Sequence, residues 1–201
     1  MKNYKKILLP LICLTLLFSC DKDSDSDNTD NNTQTNYVLY DNNYYDLGGP
    51  FLIEDYGQYS DDLYNLDISI HSPNVYFDGE DVSPYDTLAN GYYLYFELFS
   101  SEMMLESGTY SFNLTPSSMS FDIGYFEVFN LDDELLSAVF TSGTINLNIN
   151  SENSSATIDV EGTSNTNKDI SAHWEGNYNY IDWSDLINSE QDFKKKTRIN
   201  L

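Results

Sequence analysis

The chain has 201 residues, of which 33 are Asp or Glu and nine are Lys or Arg, for a formal charge of −24. So acidic a balance excludes an ordinary nucleic-acid-binding protein, which needs a basic face to neutralise phosphates. Two Cys and two His are too few for a disulfide framework or a structural zinc site, whereas 17 Tyr and 11 Phe supply enough apolar surface for one real core.

At the amino terminus, Lys2, Lys5 and Lys6 precede an apolar run from Ile7 to Phe18, too short to span about 30 Å of hydrocarbon as a helix. The run ends in Leu17-Phe18-Ser19-Cys20, which resembles the lipobox of bacterial lipoproteins: Leu at −3, a small residue at −1, then Cys. The resemblance implies a signal peptide over residues 1–19 that is cut before Cys20, the lipid-attachment residue. In that family the Cys thiol receives a diacylglyceryl group and the new amino terminus is acylated. Each buried CH₂ contributes about 0.8 kcal/mol, so two or three chains make a firm anchor. Cys13 would leave with the signal and Cys20 would be consumed by lipid, so the mature fold would rest on its core without disulfides.

Residues 20–35 read as the lipidated Cys followed by an acidic tether, DKDSDSDNTDNNTQT from Asp21, with no apolar side chain to offset ordering entropy. An EF-hand reading fails, because the sixth and twelfth places counted from Asp21 hold Ser26 and Asn32 instead of Gly and Glu. The acidic start after Cys20 resembles the export tag that sends lipoproteins of Bacteroidota to the outer face of the outer membrane. In enteric bacteria, by contrast, an Asp directly after the Cys favours the inner membrane. The expected location is therefore the outer membrane, lipid-anchored and surface-exposed, with a periplasm-facing body as the alternative.

A single β domain is expected over residues 36–182. Leu66, Ile68 and Ile70 alternate with Asp67, Ser69 and His71; Tyr92, Leu94, Phe96 and Leu98 alternate with Tyr93, Tyr95, Glu97 and Phe99. The same period of two recurs at Tyr110–Leu114, Ile145–Ile149, Ala156–Val160 and Ile170–Trp174, and less cleanly at Tyr37–Tyr45, Phe51–Tyr56, Phe121–Phe129 and Leu135–Thr141. Turn chemistry separates the runs at Asp41-Asn42-Asn43, Gly48-Gly49-Pro50, Asp78-Gly79, Asn90-Gly91 and Asn150–Ser154. No amphipathic helix precedes residue 183, so helical crossovers between parallel strands are absent from the pattern and the sheet is expected to be antiparallel. The expected fold is an all-β antiparallel sandwich of about nine or ten strands, with a closed or partly open β-barrel as the alternative. Residues 183–201 form a tail in which Asp185-Leu186-Ile187 can start a short helix. Its basic end, Lys194–Arg198, reads as a dock for an acidic partner, or for the acidic body itself, or as a frayed terminus.

From Asp23 to Asn167 there are 26 acidic residues and no Lys or Arg, so internal salt bridges are scarce and the carboxylates repel one another. The order of Tyr44-Tyr45-Asp46-Leu47, Glu54-Asp55-Tyr56-Gly57, Tyr64-Asn65-Leu66-Asp67-Ile68, Tyr95–Ser100, Ser107-Gly108-Thr109-Tyr110, Ser142–Leu147 and His173–Tyr178 resembles small lipoproteins of Bacteroidota over about residues 37–182. That resemblance implies an all-β envelope lipoprotein and carries no catalytic residue to transfer.

A Ser-His-Asp hydrolase needs His71 or His173 as base, yet both lie in alternating strands away from any nucleophile elbow. Carboxylate pairs at glycosidase spacing arise by chance among so many acids. Asp132-Asp133-Glu134 and Asp78–Asp81 offer clustered oxygens for calcium, or simply solvated turns. Asp86-Thr87-Leu88 matches a short O-glycosylation site of Bacteroidota. The aromatic excess is more informative. Tyr93, Tyr95 and Phe99 share the second face of a strand already apolar on its first, so they form either an exposed ligand platform or the covered side of a central strand. The leading expectation is a non-catalytic surface lipoprotein, with no cofactor and no metal, binding an extracellular glycan or protein. The alternatives are a structural envelope-maintenance lipoprotein and, last, an acid-pair hydrolase.

Overall fold

The computed structural model describes residues 35–79, 82–84, 90–129 and 134–184. The signal peptide, Cys20, nearly all of the tether, Asp81, Asp86-Thr87-Leu88, Asp132-Asp133 and the tail beyond Ser184 lie outside the described residues. Thirteen strands are described: β1 (Tyr37–Tyr40), β2 (Asn43–Asp46), β3 (Phe51–Ser60), β4 (Leu63–His71), β5 (Val75–Phe77), β6 (Val82–Pro84), β7 (Gly91–Ser100), β8 (Gly108–Phe112), β9 (Ser120–Phe129), β10 (Glu134–Asn150), β11 (Ser155–Ser164), β12 (Asp169–Asn177) and β13 (Asn179–Asp182). The all-β class therefore holds.

Eleven strands form one sheet in the order β13-β3-β4-β7-β9-β8-β10-β11-β12-β1-β2, and β5 and β6 pair separately. The architecture is a single curled sheet, a half-barrel, rather than two stacked antiparallel sheets, and so corresponds to the partly open barrel alternative. It is also mixed: β13 runs parallel to β3, and β8 runs parallel to the start of β9. No helix is needed for the parallel pair at β13, because the chain leaves β12 near one end of the strand order and joins β3 at the other after only Tyr178. The curl makes that short jump possible by bringing the two ends together. Rings meet across the interior: Phe51 of β3 lies edge-on to Trp174 of β12 at 4.7 Å, and Tyr45 of β2 lies 4.8 Å from Phe126 of β9.

Local chemistry explains the main bends. Tyr40 pairs with Asn43 across a two-residue turn in which Asp41 and Asn42 have φ of 51° and 62°. Two successive positive φ values match the right-handed twist of a hairpin, and Asp and Asn tolerate them. The 17-residue β10 merges two expected runs into one strand. Its first half pairs with β9 and its second with β8, with an irregularity between Phe140 and Ser142 where the strand bends. Gly143 follows, with φ of 151°, and a Cβ there would sit 2.5 Å from the Glu161 carbonyl oxygen. The bend therefore requires glycine.

The inner face carries the core: Val38, Phe51, Ile53, Leu66, Ile68, Ile70, Leu94, Phe96, Leu98, Tyr110, Phe121, Phe126, Phe140, Ile145, Ile158, Val160 and Trp174 are all buried. Strand parity puts them there, since each alternates with a neighbour on the other face. Tyr110 is buried whole because its hydroxyl is satisfied locally, donating to the Glu106 carbonyl at 3.0 Å and accepting from the Glu106 amide at 3.2 Å.

Candidate functional site

The outer face of the sheet is not uniform. Over β10, β11 and β12 it presents Thr144, Asn146, Asn148, Thr157, Asp159, Glu161, Ser171, His173 and Glu175, none of them buried. Over β3, β4, β7 and β9 it carries rings and buried polar groups instead. Their register forms rows: Glu54 beside Asp67 beside Glu97; Ser69 beside Tyr95 beside Tyr125; His71 beside Tyr93 beside Glu127.

These rows are wired together. Tyr93 donates to Glu127 Oε2 at 3.0 Å, and its ring stacks on His71 with centroids 5.6 Å apart. Tyr95 stacks on Tyr125 at 4.8 Å and donates a short hydrogen bond to Asp67 Oδ2. His71 Nε2 meets Ser69 Oγ at 3.0 Å, while His71 Nδ1 is buried with no hydrogen-bond partner among the described residues. Both Tyr rings are half-buried; Asp67 is 7 % exposed and His71 8 %.

Burial dominates the electrostatics. It pushes the Asp67 carboxyl well above the usual carboxylate range; Glu97 and Glu54 push the same way, and the Tyr95 and Asn65 hydrogen bonds offset only part of this. The shift favours the protonated, hydrogen-bonded acid over the carboxylate. Burial likewise lowers His71 from 6.5 to about 4, keeping the imidazole neutral. The Tyr95 phenol is raised by burial and then by Asp67, and the Tyr93 phenol by burial and then by Tyr125. Tyr56, on β3, is raised by burial and by the carboxylates of Asp67, Glu54 and Glu97, so three acids and a phenol share one small region.

The edge of this face is closed by the departing chain. Trp183 Nε1 donates to Glu54 Oε1 at 3.1 Å, and the Trp183 amide donates to the Asp55 carbonyl at 2.8 Å. Asp55, 6 % exposed, accepts from Tyr180 Oη at 2.6 Å and from the Gly57 amide at 2.7 Å.

Of the expected platform, Tyr93 and Tyr95 lie together on this face. Phe99 does not join them as a surface: it is 0 % exposed and packs edge-on against Tyr59 at 5.0 Å, so no ligand reaches it. The alternation placed Phe99 on the right side of β7, but period alone does not tell whether a neighbouring strand's ring covers it. Tyr125, Glu127, Glu54 and Trp183 were not anticipated. The available signal was in β9, where Tyr125, Glu127 and Phe129 alternate with Gly124, Phe126 and Val128 and make it, like β7, apolar on both faces.

His173 lies elsewhere, paired through Nδ1 with Asp159 Oδ1 at 2.6 Å on the exposed polar half. That is a base and an orienting acid with no serine hydroxyl bonded to the ring among the described residues. No group of three or more His, Cys, Asp or Glu is placed to hold a metal ion among the described residues, and no helix among them is long and apolar enough to cross a membrane. Comparison of the chain with family models, curated proteins and solved structures finds no match.

Proposed function

We propose that the chain is a non-catalytic lipoprotein of the bacterial outer membrane, anchored through Cys20, whose β domain faces outward and binds an extracellular ligand, glycan being the favoured class. The observation that carries this reading is the gathering of Tyr93, Tyr95 and Tyr125 with Glu54, Asp67 and Glu127 on one outer face, opposite an ordinary polar half. Sugar recognition combines ring faces or edges that take C–H contacts with carboxylate oxygens that take hydroxyl hydrogens. Because Tyr93 and Tyr95 already donate to their own carboxylates, a ligand would meet ring edges and the remaining carboxylate oxygens.

Two experiments test the reading. Metabolic labelling with a clickable fatty acid should mark the chain and lose the mark in C20S; labelling that survives C20S refutes the anchor. The purified protein should show saturable binding on a glycan panel that falls at least about tenfold in Y125S, roughly the contribution of one aromatic contact. Absence of saturable binding across glycans and extracellular proteins removes the ligand reading and leaves an envelope-maintenance role, to be sought in a deletion strain under detergent and osmotic stress.

A further inference from the structure

The face built by β3, β4 and β7 raises a question of charge. Glu54, Asp67 and Glu97 stand in one register row, two strand spacings or about 10 Å from end to end. Burial raises the Asp67 carboxyl there, and its two neighbours raise it further. Between Asp23 and Trp183 the sequence holds one cationic Lys or Arg, Lys168, and that residue is engaged with Asp41 at the β1–β2 turn. Nothing in the body can therefore answer the row's charge with a Lys or Arg.

The remaining cations are concentrated in Lys194, Lys195, Lys196 and Arg198. The chain leaves the sheet beside this same row: β13 brings Asp182 level with Asp55, and Trp183 lays its indole on Glu54. Nine residues lie between Ser184 and Lys194, so Lys194 can reach at most about 35 Å from Ser184, against about 10 Å from Glu54 to Glu97 along the row. We propose that the basic carboxyl-terminal segment Lys194–Arg198 folds back onto this outer face of its own chain and supplies the counter-charge to Glu54 and Glu97. The occupant fits the face in sign, in length and in the point from which it departs. Ring edges of Tyr95 and Tyr56 beside the carboxylates suit lysine and arginine, whose aliphatic stems lie along apolar surface while their heads seek acids. The inference does not depend on glycan binding, although a docked tail would compete for part of the same surface.

The test uses the full chain purified in detergent, treated with a zero-length carbodiimide that joins amines to carboxylates, and mapped by mass spectrometry. Bonds within one chain from Lys194–Lys196 to Glu54 or Glu97 are expected. Their yield should fall about five-fold on raising NaCl from about 0.05 to about 0.5 M, because exposed ion pairs are screened. E54Q/E97Q, whose carboxamides cannot be activated, serves as the blank for assigning these bonds, with circular dichroism confirming that this variant keeps its sheet. Bonds between two chains would overturn the proposal in favour of a second copy. Bonds from these lysines to carboxylates elsewhere on the sheet with none to Glu54 or Glu97, or no bonds at all, would overturn it outright. A second reading needs no variant of the face. The chain has two tryptophans, and K194Q/K195Q/K196Q/R198Q should shift the Trp183 indole N–H resonance while leaving that of the core residue Trp174 in place. A Trp183 signal that stays put refutes the docking.

Discussion

Asp67 and His71 stand two apart in register on the same face of β4, and burial moves them in opposite senses. For His71 the folded state disfavours the proton, so the unfolded chain binds more protons below pH 6.5. Its contribution is fully present above 6.5 and is lost as the pH falls toward about 4, amounting to about 3 kcal/mol over that window. For Asp67 the folded state favours the proton. Its contribution is greatest below the free carboxylate value of 3.8 and is lost as the pH rises, at about 1.4 kcal/mol per pH unit until Asp67 itself ionises. As the pH rises from about 4 the two slopes oppose each other, and the loss from Asp67 ends where its own carboxyl ionises. Asp67→Asn separates them. The amide mimics the neutral acid and still accepts from Tyr95, so the variant should match the wild type near pH 4. It should then gain on the wild type as the pH rises, by about 1.4 kcal/mol per pH unit until the wild-type Asp67 ionises. Urea denaturation of both proteins from pH 4 to pH 7.5 measures the difference, in which the many shared surface carboxylates drop out. A flat difference, or an Asn variant that is weaker at neutral pH, would show that Asp67 is natively ionised and would refute the reasoning.

Three further outcomes follow from the packing and the charge. Thermal stability should rise with added NaCl, because from Asp23 to Asn167 the sequence sets 26 acidic residues against no Lys or Arg, and carboxylates at that density repel one another; a melting temperature that is flat or falls with salt would contradict this. Phe51→Ala removes the ring that joins β3 to Trp174 and Tyr178 across the curl, and should cost about 3–5 kcal/mol in chemical denaturation, against less than about 1 kcal/mol for Leu114→Ala on an exposed loop. Tyr110→Phe strands the Glu106 amide and carbonyl beneath the β7–β8 loop and should cost about 1–3 kcal/mol by the same measurement.

The class of the fold was legible because period-two alternation is a local property, and strands such as β4, β7, β11 and β12 obey it without interruption. What exceeded local reach was connection. Gly143 looks like a break between two runs, yet it is a bend within β10, because β9 and β8 take turns pairing with one strand. The parallel placement of β13 depends on the curl bringing β12 near β3, a long-range fact that no window of residues contains. The site shows the same division. Alternation put Tyr93 and Tyr95 on one face of β7. Which rings stay accessible depended on neighbours: Tyr59 covers Phe99, whereas Tyr125 stands beside Tyr95 and extends the patch. The register that sets Glu54, Asp67 and Glu97 in a row is likewise fixed only once three strands are paired.

The outer aromatic cluster is not something the architecture requires. The inner rings, Phe51, Phe96, Phe121, Phe126, Phe140 and Trp174, hold a rolled sheet whose two ends are joined by contact, and a fold of this kind needs them. The outer set has no such duty, since β10, β11 and β12 carry the same sheet onward with Thr, Asn, Ser and solvated acids on their outer side. Two of its members also carry a cost. Asp67 is buried beside two other acids at a stability cost that grows with pH, and His71 keeps a ring nitrogen without a partner among the described residues. Alternation alone would have been satisfied by threonine at any of these places. Residues that neighbouring strands dispense with, and two of which stand at a cost, are the ones on which the proposed ligand binding is best tested by substitution.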